Sequence, residues 1–303
     1  MIVDLPNTTA SKIGKRLNEL RETGGVVALG RVLTLIISTD AENIEAAVAA
    51  ANGASRLHPA RIIVLAEVRN GGVSKLDAEI RVGGDAGASE VVVLRAYGDA
   101  SSNPESLVTG LLLPDAPVVA WWPVNCSSNP GASAIGKIAQ RRISDSASQP
   151  DPVAFLAELA KNYKPGDGDM AWTRITLWRS QLAAIFEQHL ERRVTEIEVF
   201  GSASSPSSLL LAKWLEQRLG AAARITPTLD GKQIHGIAGV KLRFESGELE
   251  IVREDEVAQI KQVGFPDSSV LLPRRSDREC LIEDMRFLGE DEVYGEVLQG
   301  VLR

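Results

Sequence analysis

The chain is poor in the residues that mark whole classes of protein. Two of its 303 residues are cysteine, Cys126 and Cys280; they stand far apart and form no CxxC pair. That argues against a disulfide scaffold or a thiolate zinc site and suits a reducing cytoplasm. The three histidines, His58, His189 and His235, share no metal-ligand spacing, and there is no HExxH, so no metal is expected. Long hydrophobic runs are missing too. The most apolar window, residues 107–124, is interrupted by Pro114, Asp115, Pro117 and Pro123 and cannot supply about 20 unbroken apolar helical residues for a membrane span. The start, Met1-Ile2-Val3-Asp4-Leu5-Pro6, lacks the basic-then-apolar order of a secretory signal. Positive charge is in deficit: 33 Lys and Arg against 40 Asp and Glu give a net charge of -7, which disfavours nucleic acid as a partner while leaving a local basic patch open.

What is present is ordinary globular material, 44% hydrophobic and 24% charged, enough for two domains. Apolar periodicity predicts a helix over 10–22, halted at Gly24-Gly25, then a buried strand over 31–38, a helix over 41–52 headed by Asp40, and a second buried strand over 61–67. Strand, helix, strand at this spacing is a βαβ unit. Further strands are expected at 78–82, 90–96 and 118–122, with a helix over 104–112, making the first part an α/β layer with a doubly wound, mostly parallel sheet. Turn-rich sequence around Gln149–Asp169, enclosing a helix over 153–161, marks a boundary: domain one over 1–150, a linker and helix over 151–170, domain two over 171–303. The second domain opens with a long helix over 171–189 and a strand over 196–200. Next comes a helix bracketed by Ser205 as N-cap, Pro206 at its first position and Gly220 past its end. Alternation in 239–243 and 249–253 around Ser246-Gly247 predicts a hairpin in a mixed α/β sheet, which 257–263 and 269–272 extend; a helix over 290–302 closes the chain.

No residue set for catalysis stands out. Gly131–Lys137 has the GxxxxGK spacing of a phosphate loop, but Ile138 follows in place of Ser or Thr and the preceding strand is too distant, so a structural helix start is the better reading. Gly201–Ser208 has better context, directly after an apolar strand and opening a helix. Ser202, Ser204, Ser205 and Ser207 could help backbone amides hold an anion such as a sugar phosphate, although helix capping alone yields the same composition. Gly83–Gly87 has the wrong spacing for a dinucleotide fingerprint, no GxSxG elbow exists, and Cys126 has no activating signature. Neither a catalytic residue nor a cofactor is therefore expected. The alternative to a non-catalytic role is a sugar-phosphate-binding enzyme or sensor of the doubly wound class.

Tryptophan beside arginine is the positive signal. Trp121 and Trp122 end a strand, where one indole faces the core and the other tends toward the surface. Arg141 and Arg142 form a basic pair. In Asp169–Arg179, Arg174 and Trp178 are helix neighbours, as are Trp172 and Arg179, so cation–π stacking is within reach. Such residues are enriched at interface hot spots and also fill domain junctions, and both readings stay open for the Trp178 stripe. The acidic run 277–296 reads as a solvated face, with Glu290–Glu292 favoured at a helix N-terminus.

Four stretches carry a resemblance across both parts of the chain: Met1–Pro6 with Thr8-Thr9, Gly30–Leu35, Ala139–Asp145 and Asp169–Arg174 with Trp178-Arg179. Together they resemble the glucose-6-phosphate dehydrogenase assembly proteins of the OpcA family, in its actinobacterial form. The resemblance implies a non-catalytic cytoplasmic partner that binds glucose-6-phosphate dehydrogenase and supports its oligomerisation or activity, as an allosteric activator in the oxidative pentose phosphate pathway and NADPH metabolism. It leaves a small-molecule effector open. Trp121, Trp122, Arg141, Arg142, Trp172, Arg174, Trp178 and Arg179 are the expected partner-binding residues.

Overall fold

The computed structural model describes residues 1–23, 32–68, 73–83 and 90–302. Gly24-Gly25 and most of Gly83–Gly87, singled out above, lie outside the described residues. The chain divides into two compact units. The first comprises Met1–Ser148, Lys164–Gly168 and Asp277–Glu290; the second comprises Gln149–Tyr163, Asp169–Ser276 and Asp291–Arg303.

The first unit runs β1 (Ile2–Leu5), α1 (Ala10–Thr23), β2 (Leu33–Asp40), α2 (Ile44–Ser55), β3 (Ala60–Val68), β4 (Lys75–Arg81), β5 (Glu90–Tyr97), α3 (Pro104–Thr109), β6 (Val118–Trp122), α4 (Ala134–Ile138) and β7 (Arg141–Ser144). With β8 (Asp167–Asp169) these strands form one sheet in the order β1-β4-β5-β3-β2-β6-β7-β8. From β5 to β7 every pairing is parallel, while β4 and β1 add antiparallel strands at one edge. The central strands are apolar on both faces, as parallel strands covered on both sides must be: Leu35, Ile36, Ile37, Ile62, Ile63, Val64, Val92 and Val93 are all fully buried. From β2 the chain crosses to β3 on one side and later resumes at β6 on the other. Right-handed crossovers then put α2 and α4 on opposite faces, with α2 against the late helix Asp277–Arg286 and α4 against α3. The doubly wound, mostly parallel sheet expected from the sequence is present. The structure adds β1, β7 and β8, three short strands whose charged residues hide the pattern.

The second unit contains α5 (Pro152–Asn162), α6 (Met170–Thr173), α7 (Thr176–Phe186), β9 (Val194–Gly201), α8 (Pro206–Leu219), β10 (Ala223–Thr226), the two-stranded β11 (Thr228–Leu229) and β12 (Lys232–Gln233), and β13 (Ile237–Phe244), β14 (Glu248–Glu254), β15 (Val257–Gln262) and β16 (Ser268–Leu271). In chain order Asp277–Arg286 is α9, and Glu292–Gly300, in the second unit, is α10. The six-stranded sheet is ordered β10-β9-β13-β14-β15-β16; only β10 and β9 run parallel. The expected mixed sheet and its hairpin are therefore present. One face carries Ile197, Val199, Val240, Leu242, Leu249, Ile251 and Ile260 into a core completed by Trp172, Trp178, Leu211, Leu215 and Tyr294. The other face carries a ladder of opposite charges: Arg224 to Glu198, Arg243 to Glu196 and Lys241 to Glu250. That is the signature of an antiparallel sheet with one solvated face.

The expected long helix over 171–189 is instead broken. The amide of Arg174 donates to the Met170 carbonyl and that of Ile175 to the Trp172 carbonyl, so α6 tightens and stops before α7 begins at Thr176. Glu187–His189 then forms a separate 3-10 turn. The α8 boundaries are as the sequence predicts: the Ser205 side chain accepts from the Ser208 amide, Pro206 leads the helix, and Gly220 takes the left-handed conformation at φ 68°.

Candidate functional site

At the carboxyl end of β2 the chain passes through Ser38-Thr39-Asp40 and turns via Ala41-Glu42-Asn43 into α2. Because β3 lies on one side of β2 and β6 on the other, the strand ends enclose a crevice at the topological switch point, the position where open α/β sheets bind ligands. It has a volume of about 510 Å³ and is lined by residues 38–42, Glu67, Val68, Val124 and Asn125. Its chemistry is acidic. Asp40 Oδ1 accepts from the Asn43 backbone amide at 3.0 Å and from Asn43 Nδ2 at 2.7 Å, and Oδ2 accepts from Asn125 Nδ2 at 3.1 Å. All three donors are neutral, and no Lys, Arg or His lines the crevice among the described residues. Glu42 is exposed. Thr39 is 7% exposed, and its Oγ1 is buried with no hydrogen-bond partner.

A dinucleotide pyrophosphate at this position needs glycines for close backbone approach and bare amides at the helix N-terminus. The β2–α2 turn has no glycine, and a pyrophosphate would meet the carboxylates of Asp40 and Glu42. The fold thus supplies the place for a nucleotide while the side chains oppose its charge.

The two phosphate-loop candidates are satisfied internally. In Gly131–Lys137, Ser133 caps α4, accepting from the Gly136 amide at 2.9 Å and donating to the Pro130 carbonyl at 2.7 Å. A Cβ on Gly136 would stand 1.8 Å from the Pro130 oxygen, so this glycine serves tight turn packing. In the 201–208 segment, Ser205 caps α8, Ser207 donates to the Ala171 carbonyl, Ser208 to the Gly236 carbonyl, and the Ser202 and Ser204 hydroxyls bond each other at 2.9 Å. Capping and packing account for these serines.

The tryptophans and arginines expected at a partner surface lie largely inside. Trp121 and Trp122 are 1% and 7% exposed, because β6 sits between β2 and β7 with both faces covered; neither indole reaches the surface. Arg141 and Arg142, also buried, are spent on carboxylates far along the chain. Arg141 donates to Asp284 Oδ1 at 2.6 Å, and Arg142 pairs with Asp167 while also donating to the Ala139 and Pro165 carbonyls. Within the first unit, the two guanidinium groups thereby fasten Lys164–Gly168 and α9 to β7. Gly166 and Gly168 admit them: a Cβ on Gly168 would stand 2.5 Å from Arg141 Nη2, and Gly166 has φ 89°. The reading of 277–296 as a solvated face is corrected at Asp284, which is 4% exposed and is the carboxylate that Arg141 requires.

In the second unit Trp172, 2% exposed, donates from Nε1 to Asp291 Oδ2 at 2.8 Å, lies 5.8 Å from the Tyr294 ring, and is covered by the Arg179 guanidinium 3.6 Å from its centroid. The expected pairing of Trp172 with Arg179 is thus formed. Trp178, buried, is faced by Arg253 at 5.3 Å. Burial, and secondarily Arg274, pull the Arg253 pKa down to about 10; its guanidinium is held by the carbonyls of Ile237 and Leu272. Only Arg174 and Arg179 of the eight are part-exposed.

Asp40, Glu42, Thr39 and Asn125 were invisible as a group in the sequence. The one available signal was the acidic, glycine-free β2–α2 turn, where a glycine-rich turn would have marked a phosphate site.

Comparison with known proteins adds the following. Residues 51–161 match the family model described as glucose-6-phosphate dehydrogenase subunit N-terminal domain (OpcA_G6PD_assem), and residues 165–298 match the corresponding C-terminal domain (OpcA_G6PD_C). No curated protein sequence matches. Among solved structures the chain is similar to UDP-N-acetylglucosamine 3-dehydrogenase GnnA from Acidithiobacillus ferrooxidans (10% identity, 89% of this chain and 96% of that one, TM-score 0.40). It is also similar to an oxidoreductase from Sinorhizobium meliloti (11%, 82% and 85%, TM-score 0.45) and to glucose-6-phosphate 1-dehydrogenase from Mycobacterium avium (12%, 89% and 91%, TM-score 0.37). These likenesses are too distant to carry function. The two family matches cover both units, and the chain belongs to the OpcA family of glucose-6-phosphate dehydrogenase assembly proteins.

Proposed function

We propose that this chain is a non-catalytic assembly factor and allosteric activator that binds glucose-6-phosphate dehydrogenase and favours its active oligomer, supporting NADPH production in the oxidative pentose phosphate pathway. The observation that carries the reading is the pair of family matches spanning both units. The switch-point crevice agrees with it, since its carboxylates oppose the phosphates of the dehydrogenase's own cofactor and substrate. Activation needs only differential affinity: a coupling of about 1–3 kcal/mol between this chain and the active state shifts the equilibrium roughly 5- to 150-fold. The half-buried Arg174 and Arg179 are kept as candidate contacts, whereas Trp121, Trp122, Arg141, Arg142, Trp172 and Trp178 support the surface from within. No helix among the described residues is long and apolar enough to cross a membrane. The test is mass measurement and steady-state kinetics of the cognate dehydrogenase with and without this chain. A joint particle with raised kcat or lowered KM is expected. Separate particles with unchanged kinetics, or substrate turnover by the isolated chain, would overturn the reading.

A further inference from the structure

The crevice between the ends of β2, β3 and β6 combines three properties. It is concave, at about 510 Å³, and its described lining residues include the carboxylates of Asp40 and Glu42 and no cation. It also contains a polar group left over by the fold: Thr39 is more than nine-tenths buried and its hydroxyl has no partner. A buried hydroxyl left unpaired is unfavourable, and a bound donor or acceptor would relieve it. Asp40 is already oriented, because Asn43 and Asn125 grip both of its oxygens without neutralising its charge. A carboxylate fixed by neutral amides is a preorganised receptor for a cation.

A free metal ion is a poor occupant, since no group of three or more ligating side chains among the described residues is arranged to hold one. A phosphorylated metabolite is opposed by like charge. A guanidinium or ammonium at the end of a long side chain fits: it offers several N–H donors, needs fixed carboxylate acceptors, and can use the Thr39 hydroxyl as a further acceptor.

On the reading that this chain binds glucose-6-phosphate dehydrogenase, we infer that the switch-point crevice is a docking socket for a basic side chain, Arg or Lys, projecting from the dehydrogenase. The position that doubly wound enzymes give to a nucleotide is here given to a partner's cation.

The test is the affinity of full-length chain for the cognate dehydrogenase by calorimetry or interferometry, across an ionic-strength series. Asp40→Asn with Glu42→Gln keeps the side-chain sizes and is expected to weaken binding at least about tenfold and to flatten its salt dependence. Glu42→Lys alone, at an exposed position where folding is not at stake, should weaken it by a comparable factor. Glu248→Gln, on the charged face of the second unit's sheet, is the control and should leave affinity unchanged. If wild-type chain binds and the crevice variants bind equally well with the same salt slope, the socket is wrong while the assembly reading stands. If wild-type chain does not bind at all, both fall together.

Discussion

Two segments look alike in sequence and are held by different physics. Gln140-Arg141-Arg142 and Asp169–Arg179 both place cations among aromatic or amide side chains. In the first unit the arginines are buried as ion pairs, Arg141 to Asp284 and Arg142 to Asp167, with backbone carbonyls completing the guanidinium donors. In the second unit the organising group is an indole: Trp172 is hydrogen-bonded by its edge to Asp291 and stacked on its face by Arg179. A buried ion pair fails abruptly when one member is removed, because the other charge stays behind unpaired; a stacked indole loses contact area and one bond, and fails gradually.

The largest expected effect is Arg142→Met, which strands Asp167 and should cost about 3–5 kcal/mol in urea unfolding. Pairing it with Asp167→Leu should recover most of that loss. If the single variant costs less than the tryptophan variant below, the contrast between the two segments is wrong. Gly168→Ala sharpens the same region, since its methyl would occupy the space of Arg141 Nη2; a loss of about 1–3 kcal/mol is expected, with thermal melting as the readout. Trp172→Phe keeps the ring but drops the Nε1 bond to a carboxylate, a loss of about 2 kcal/mol, visible as reduced hydrogen-exchange protection in α6 and α10. Ser205→Ala removes the α8 cap for about 1 kcal/mol.

The smallest effect is pH-dependent. Hydrogen bonding to Arg224, with a further bond from Thr226, holds the Glu198 carboxyl below its ordinary 4.5. A depressed folded value means that Glu198 stabilises the fold above about pH 4.5 and that this is lost as pH falls through the lower folded value. Arg224 is half exposed, so the contribution stays under about 1 kcal/mol. Melting temperature measured from pH 6 to pH 3 should fall less steeply for Glu198→Gln than for the parent chain; identical slopes would remove the assignment.

Legibility in the sequence followed the type of signal. Buried parallel strands such as β2, β3 and β5 announce themselves because both faces are apolar, and α8 does so because Ser205, Pro206 and Gly220 act locally. Strand β7 was missed because its sequence, Arg-Arg-Ile-Ser, looks like surface, and the carboxylates that permit its burial come from residues 167 and 284. Helix α9 reads as solvated in the sequence for the same reason: Asp284 has its partner 143 positions away. Of the crevice, only the absence of glycine in the β2–α2 turn could be read beforehand.

By itself the sequence determined the α/β class, the order of the principal elements and the kinship with dehydrogenase assembly proteins, since propensity, periodicity and motif act within a few residues of chain. Tertiary structure alone decided which charges are inside, that the tryptophans pack inward, and that three strand ends converge on an acidic crevice. Those outcomes depend on side chains brought together from distant positions, and the energy of a charge is set by what surrounds it in space.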